Sequence, residues 1–468
     1  MEISPFGLFL IFYYIYLLAA KSPVNRFMAS IVMLLICSLT IQMGFFVMVG
    51  DKGIPYSTVA TMATAFFGFL IPLSPQKKHY QKFNLICVLF LLSSFASVVL
   101  FEIFPYEKTI IANSDYSGFL EGKVGYSQLS TSNIKYGLIY ISILLTYILI
   151  RIKACLSMDN IYTIIHRFIT VSVIMVIGVG VIEFIFENFF HSLFVTNATI
   201  SVFGEYGAQQ NSLFDRNGLF AIQGTTKEAS IYSVSLLYTA MMTVCLTALP
   251  MVTKRKKRLY NLSLFAIIVL LIINRAMSSY VYVLILMMSV MFVNPYKLSL
   301  FKNPVIVSRL VTIIVLIILL TVVSSDILLS FVDSDNYFLN RLALSINEFM
   351  GMSNGAFTNS SEGIRFLGIS QCWKVFIERP LFGVGYTELV CLSGLVTMLV
   401  SIGLIGTYLW CKINLSFSDV TIRKGWIILV IVIVLPNLLL NDVETMLSIF
   451  IPLTCLLFSS QTKNNSIR

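Results

Sequence analysis

The sequence predicts an all-α, polytopic transmembrane bundle of about 13 spans, with one long outer loop containing an amphipathic helix. Three observations predict it. The 468 residues are 57% hydrophobic and only 12% charged, with a mean hydropathy of +0.88. Soluble domains carry about 25% charged residues, and a soluble fold would leave more apolar surface than it can hide. Second, apolar stretches of about 20 residues recur along the chain, the length that crosses a hydrocarbon core of about 30 Å. Third, the basic residues fall in every second loop.

Spans are expected at 5–20, 27–49, 55–73, 84–104, 136–150, 168–186, 229–252, 259–274, 276–293, 305–325, 386–411, 425–440 and 445–460. The first has no basic flank before its apolar run, which predicts a retained helix and not a cleaved signal. Lys21 and Arg26, Lys77, Lys78 and Lys82, Arg151 and Lys153, Lys254 to Arg258, Lys297 and Lys302, and Arg423 and Lys424 occupy alternate loops. By the positive-inside rule those loops are cytoplasmic. That choice puts 21 of the 32 Lys+Arg inside and, of the 22 Asp+Glu, only Asp159 and Asp419. The amino terminus is then outside, and the tail 461–468 is cytoplasmic. The net charge of +10 is explained by this distribution. It predicts a lipid bilayer as the surroundings and no nucleic-acid partner.

The organisation read from this pattern has three parts. Residues 1–325 hold spans 1–10, with outer loops near 105–135 and 187–228. Residues 326–385 form the long outer loop, and 386–460 hold the last spans. There is no internal repeat, whereas a transporter of inverted repeats should show two similar halves. The eight cysteines form no CxxC pair and no Cys/His cluster, so neither a disulfide framework nor a zinc site is indicated. Neither a metal nor a cofactor is expected.

The long loop concentrates the polar chemistry. Residues 362–379 read as a helix, with Ile364, Leu367, Trp373, Val375 and Phe376 at mixed three- and four-residue spacing. Arg365, Cys372 and Arg379 are seven apart and share a face. Pro380 stops the helix, and Gly383 and Gly385 give a flexible link to the next span. Two guanidinium groups on one face of an interfacial helix suit a lipid pyrophosphate, which arginine grips in a bidentate fork. The alternative is that they pair with Glu362 and Glu378 or reach to headgroups.

Elsewhere, Arg275 stands between two apolar runs with almost no loop and wants a partner; otherwise it simply ends a helix at the headgroups. Glu228 opens a span. With Thr225 it fits a capping box, and it could equally act as a base or as that partner. Asp333 and Asp335 have a metal-binding spacing, but with Ser334 and Asn336 they read better as ordinary turn residues. His191, in Phe189-Phe190-His191, suits interfacial packing better than catalysis.

In their order, these segments resemble the O-antigen polymerase and O-antigen ligase superfamily. The resemblance lies in Glu362-Gly363-Ile364-Arg365 leading to Trp373, and in Arg379-Pro380-Leu381-Phe382-Gly383-Val384-Gly385. Asn274-Arg275-Ala276-Met277-Ser278 is similar to the family's Ser-Arg-hydrophobic hairpin, with Asn in place of Ser. Thr226-Lys227-Glu228-Ala229-Ser230 loosely resembles its Glu-Pro-Ser segment, without the proline. The resemblance covers 220–390 in motif and the whole chain in topology.

The resemblance implies a glycosyltransferase of a bacterial plasma membrane. It would move a glycan from polyprenyl pyrophosphate to a lipid-linked repeat unit, with a chain-length regulator as a candidate partner. It implies Glu228, Arg275 and Arg365 as catalytic residues, and Arg275, Arg341, Arg365, Trp373 and Arg379 as substrate-binding residues. A polymerase is the first expectation and a ligase the second. A flippase, from another class, would need charges within spans, which are nearly lacking; Glu102 and Glu183 lie near outer ends.

Overall fold

The computed structural model describes residues 2–19, 22–42, 44–49, 52–72, 78–108, 129, 133–204, 222–226, 229–249, 252–274, 277–293, 361–386, 393–418, 422–438 and 449–464. A short strand, β1 (Glu2–Ile3), precedes α1 (Pro5–Ala19). Ser22 caps α2 (Pro23–Leu35): its Oγ accepts from Asn25 N, and Pro23 takes the first helical position. α2 runs on through a π-helical turn, Ile36–Thr40.

There the chain leaves the helix. β2 (Val47–Val49) and β3 (Lys52–Ile54) form a hairpin, and β1 joins β2 antiparallel, with Glu2 opposite Met48 and Met48 opposite Gly53. The expected span 27–49 therefore ends at Thr40. The cause is local: Gly44 sits at φ +82, where a Cβ would meet Phe203 O at 1.8 Å. Apolar composition alone hides this turn.

The remaining elements are α3 (Tyr56–Phe69), α4 (Lys78–Ile103), α5 (Asn133–Cys155) and α6 (Met158–Ser172), which passes through a π segment, Val173–Gly178, into α7 (Val179–Phe189). Then follow α8 (Phe194–Phe203), α9 (Ala229–Ala248), α10 (Lys254–Ile273), α11 (Met277–Val293), α12 (Ser361–Glu378) and α13 (Gly394–Ser416). Last come α14 (Ile422–Ile428), continued by a π segment Leu429–Val434 into α15 (Leu435–Leu438), and α16 (Phe450–Asn464).

Among the described residues six helices are long and apolar enough to cross a membrane: 23–40, 80–103, 136–155, 158–189, 229–248 and 394–416. Shorter apolar helices cover Pro5–Ala19, Phe194–Phe203, Ser278–Val293 and Gly425–Leu438. The protein is a helical membrane bundle. Several expected boundaries move. Span 168–186 is the middle of the helix 158–189. The span expected at 386–411 runs Gly394–Ser416. The expected outer loop 187–228 contains the apolar α8. The span expected at 305–325 and the loop 326–360 lie outside the described residues.

α9 is the central helix. Tyr232 through Thr247 are all buried, so it has no lipid face. It packs on α11, α10, α16 and α6 and on two of the π segments. Small polar residues line it. The hydroxyls of Ser233, Thr243 and Thr247 donate to the carbonyls of Ala229, Thr239 and Thr243. Small hydroxyl residues let membrane helices approach closely while each satisfies its own donor.

The helix ends sort into two groups. At one end Arg151 donates to Ile71 O at 3.2 Å, Lys153 to Ser416 O at 2.9 Å, and Tyr260 OH meets His166 Nδ1 at 2.6 Å. At the start of α3, the end opposite Ile71, Tyr56 OH donates to Phe203 O and meets Ser4 Oγ, both at 2.6 Å. Gln42 N donates to Thr225 O at 3.1 Å. Arg151 and Lys153 thus bind main-chain carbonyls just past the end of α3 and at the end of α13.

Candidate functional site

The first constellation is a buried polar loop, 222–226, which leads into α9. Ile222, Gln223, Thr225 and Thr226 are each at most 2% exposed, and Gly224 is buried with them. So much buried backbone must find partners within the protein. Glu183, on α7, supplies two of them: one carboxyl oxygen accepts from Gln223 N at 3.1 Å and the other from Gly224 N at 2.5 Å. Successive N–H groups at a left-handed residue form an anion-binding concavity, and Gly224 has φ +62. A Cβ there would meet the Tyr232 ring at 2.7 Å, so glycine is required twice over. Thr225 Oγ1 donates to Thr40 O at 2.5 Å, and Thr226 Oγ1 to Gln223 O at 2.8 Å.

π-helical turns open where this loop docks. A π turn frees main-chain carbonyls, and such turns cluster at functional sites. Thr40, which receives Thr225, ends the first π turn. Val176 in the second accepts from Tyr232 OH at 2.8 Å.

Asn274 ties the loop to the core. It ends α10 and is fully buried. Its Oδ1 accepts from Ile222 N at 3.0 Å, and its Nδ2 donates to Ala229 O at 2.8 Å and to Ser233 Oγ at 2.9 Å. Ser233 Oγ in turn meets Ser279 Oγ at 2.5 Å. The asparagine that departs from the Ser-Arg pattern therefore has a reason. Only an amide offers the acceptor and the two donors this position uses. Asn274→Ala should leave Ile222 N–H and Ala229 C=O buried without that partner, at a cost of about 1–3 kcal/mol. Thermal unfolding of the purified protein checks it, and an unchanged midpoint would contradict it.

Glu228 and Arg275 themselves lie outside the described residues. Their described neighbours do not: Ala229, next to Glu228, and Asn274, next to Arg275, share a hydrogen bond. Forty-five residues of separation thus close to one contact. Arg341 also lies outside the described residues. Arg365 falls within the helix α12, but its side chain is not among those described.

The second constellation is the corner where α12 meets the end of α4. α12 ends at Glu378, just before Pro380, as the sequence predicts. Cys372, Val375 and Phe376 pack with Phe101, Tyr106, Val384, Val396 and Val400, while Trp373 is 46% exposed and stands 5.2 Å from the Phe376 ring. Of the face expected to hold Arg365, Cys372 and Arg379, Cys372 is fully buried against the protein. Arg379 is half-buried. Its guanidinium donates to Phe104 O and, at 3.0 Å, to Pro105 O, with its carbon 5.9 Å from the centre of the Tyr106 ring. It therefore clips the end of α4 to the end of α12. With five N–H donors, a guanidinium bound to two carbonyls keeps others for a ligand.

Lys108 pairs with Glu378 at 2.7 Å across the same corner. That hydrogen bond, more than the charge of Arg379, holds the Glu378 carboxyl below its usual value of 4.5. A carboxyl lowered in the folded state contributes stability above its unfolded value, and loses it as pH falls through the folded one. Both partners are exposed, so water and salt screen the pair. Lys108→Met should shift the unfolding midpoint only slightly near pH 7, and the difference should vanish at about pH 3. A large shift at both values would contradict this.

Gly383 and Gly385 do not make a loose link. Gly403 breaks α13 with φ 66 and ψ −174, and the segment 380–385 fills the break. Leu404 N donates to Pro380 O at 2.8 Å, Ile405 N to Leu381 O at 3.3 Å, and Val384 N to Val400 O at 2.8 Å. Gly385 N donates to Ser97 Oγ at 2.9 Å, whose hydroxyl donates to Ser401 O at 2.6 Å. Tyr386, expected among the outer aromatics, is buried with its hydroxyl 3.3 Å from Ser142 Oγ.

Asp333 and Asp335 lie outside the described residues, and among those described no group of three His, Cys, Asp or Glu is placed to hold a metal. A scan against protein-family models found no match to this chain, and a search of curated proteins found none either.

Proposed function

We propose that the protein is a polysaccharide polymerase of a bacterial plasma membrane, with about 13 spans. On this reading it acts on the face opposite the basic loops. It transfers a growing glycan from polyprenyl pyrophosphate to a lipid-linked repeat unit. The acceptor hydroxyl oxygen bonds to the anomeric carbon, and the bond from that carbon to the pyrophosphate oxygen breaks. The hydroxyl proton passes to Glu228. Charge grows on the departing polyprenyl pyrophosphate, where Arg275 and Arg365 stabilise it. Arg341, Trp373 and Arg379 hold the glycan and its carrier, with Trp373 offering an exposed ring for a sugar or the headgroup region.

The observation that carries the reading is the bond between Asn274 and Ala229. It draws together the two segments whose next residues are Arg275 and Glu228, a cation for the leaving group and a base for the nucleophile. Fixed charges at the leaving group and the nucleophile suit group transfer of this kind.

An intact-cell experiment separates the classes. A strain lacking the protein should display single repeat units at its surface. No surface glycan at all would indicate a flippase. Long chains accumulating on the carrier would indicate a ligase.

A further inference from the structure

We infer that Glu183 is a positioning residue for the transfer reaction: the anchor of the loop 222–226, which precedes Glu228 in sequence and is tied through Ile222 to Asn274, the residue before Arg275. The inference rests on the glycosyltransferase reading. Glu183 lies within the helix 158–189 and is 1% exposed. A carboxyl group inside a membrane helix is costly to bury and is kept where it has a task. Among the described residues its partners are neither lysine nor arginine. They are two adjacent backbone N–H groups, forty and forty-one residues away.

The loop it holds is short and has little slack. Three residues separate Gly224 from Glu228. Between them, Thr225 is fixed to Thr40 and to Gln42. Just ahead, Ile222 N is fixed to Asn274 Oδ1, and Arg275 is the next residue. The Tyr232 ring closes the remaining side. It sits between Gly180 on α7 and Gly224 in the loop, where a Cβ would come within 2.8 Å and 2.7 Å of it respectively. Glu183, one turn along from Gly180, thus bonds the loop's main chain at two points. Glu187, one further turn along, accepts from Thr196 on α8 instead.

Glu183→Gln is the nearly isosteric test. The amide oxygen can still accept from one N–H, but the amide nitrogen then faces the other, donor against donor. The loop keeps its composition and loses its fixed point. A displacement of about 1 Å at a reacting group costs on the order of 10²-fold.

The experiment uses the full-length protein in nanodiscs, with polyprenyl-pyrophosphate-linked repeat units extracted from a strain that lacks it. Hydrogen–deuterium exchange and turnover are measured on wild type, Glu183→Gln and Glu183→Asp. The expected result for Glu183→Gln is faster exchange over 222–226 and kcat lower by roughly tenfold to a hundredfold. KM for the donor should stay within about twofold, while the unfolding midpoint should fall modestly, as for any lost buried hydrogen bond. Glu183→Asp, which keeps both acceptors on a shorter arm, should recover part of kcat. Full turnover with a loosened loop would overturn the inference, and so would unchanged exchange. A fall in kcat that disappears when each variant is assayed equally far below its own unfolding midpoint would mark a merely structural residue and overturn it too. If wild type itself forms no polymer, the glycosyltransferase reading has failed and this inference falls with it. If wild type polymerises and Glu183→Gln does so equally well, only this inference has failed.

Discussion

Arg365→Lys is expected to remove most of the polymerising activity, on the order of 10²-fold, while the protein accumulates normally. The substitution keeps the positive charge. It loses the planar fork that grips two phosphate oxygens at once, and an ammonium acts only as a strongly hydrated point charge. Arg365 sits in α12, the helix that packs its Cys372, Val375 and Phe376 against the bundle. A helix so docked is a rigid support for a side chain that must meet a developing charge in one place. Polymer length on gels, at matched protein levels, is the measurement. Full activity of Arg365→Ala would remove this residue from the site.

Gly383→Ala and Gly403→Ala should have the largest effect on the fold. A Cβ on Gly383 would stand 2.2 Å from Val400 O, and one on Gly403 2.2 Å from Leu381 O. Both obstacles are backbone, so no side chain can swing aside. Both glycines also hold left-handed conformations, φ +69 and φ +66, which cost other residues about 1–3 kcal/mol before any clash is counted. Each substitution attacks the same joint, where 380–385 supplies the hydrogen bonds that the break in α13 leaves open. The joint should separate, with a total cost of about 3 kcal/mol or more. Gly137→Ala and Gly425→Ala are the controls, since neither Cβ would meet anything within 4 Å. Membrane-fraction yield and thermal unfolding should drop for the first pair alone. Equal behaviour of the four variants would contradict the packing described.

The helix ending before Pro380 was legible in the sequence because proline forbids continuation by local sterics. The membrane class was legible because it depends on composition. What hydropathy could not show was geometry among apolar residues. The run 41–49 is as apolar as a span, yet it turns at Gly44 because Phe203 approaches there. The kink at Gly403 sits in an unbroken apolar stretch, and π turns leave no trace in hydropathy. The glycines of the Pro-Leu-Phe-Gly-Val-Gly string read as flexible, although close backbone contact is what requires them.

The candidate site was legible in pieces. Glu228 and Arg275 stood out by charge on an apolar background, and the bond between their neighbours Ala229 and Asn274 needed three dimensions. Arg379 stood out as a phosphate ligand, and the structure adds its hold on Phe104 and Pro105. Glu183 was noticed only as a charge near a span end. Its partners are main-chain groups, which no side-chain pattern can reveal.

The most direct test of the account is polymerisation by the purified protein in proteoliposomes. The substrate is polyprenyl-pyrophosphate-linked repeat units, supplied with EDTA and no other protein. The account predicts a ladder of lengthening glycans and one polyprenyl pyrophosphate released per bond formed. Glu228→Gln should abolish the ladder, and the double variant Asp333→Asn, Asp335→Asn should keep it. A ladder lost in EDTA and restored by Mg²⁺ or Mn²⁺ would contradict the metal-free arrangement. No ladder under either condition, from folded protein, would contradict the account itself.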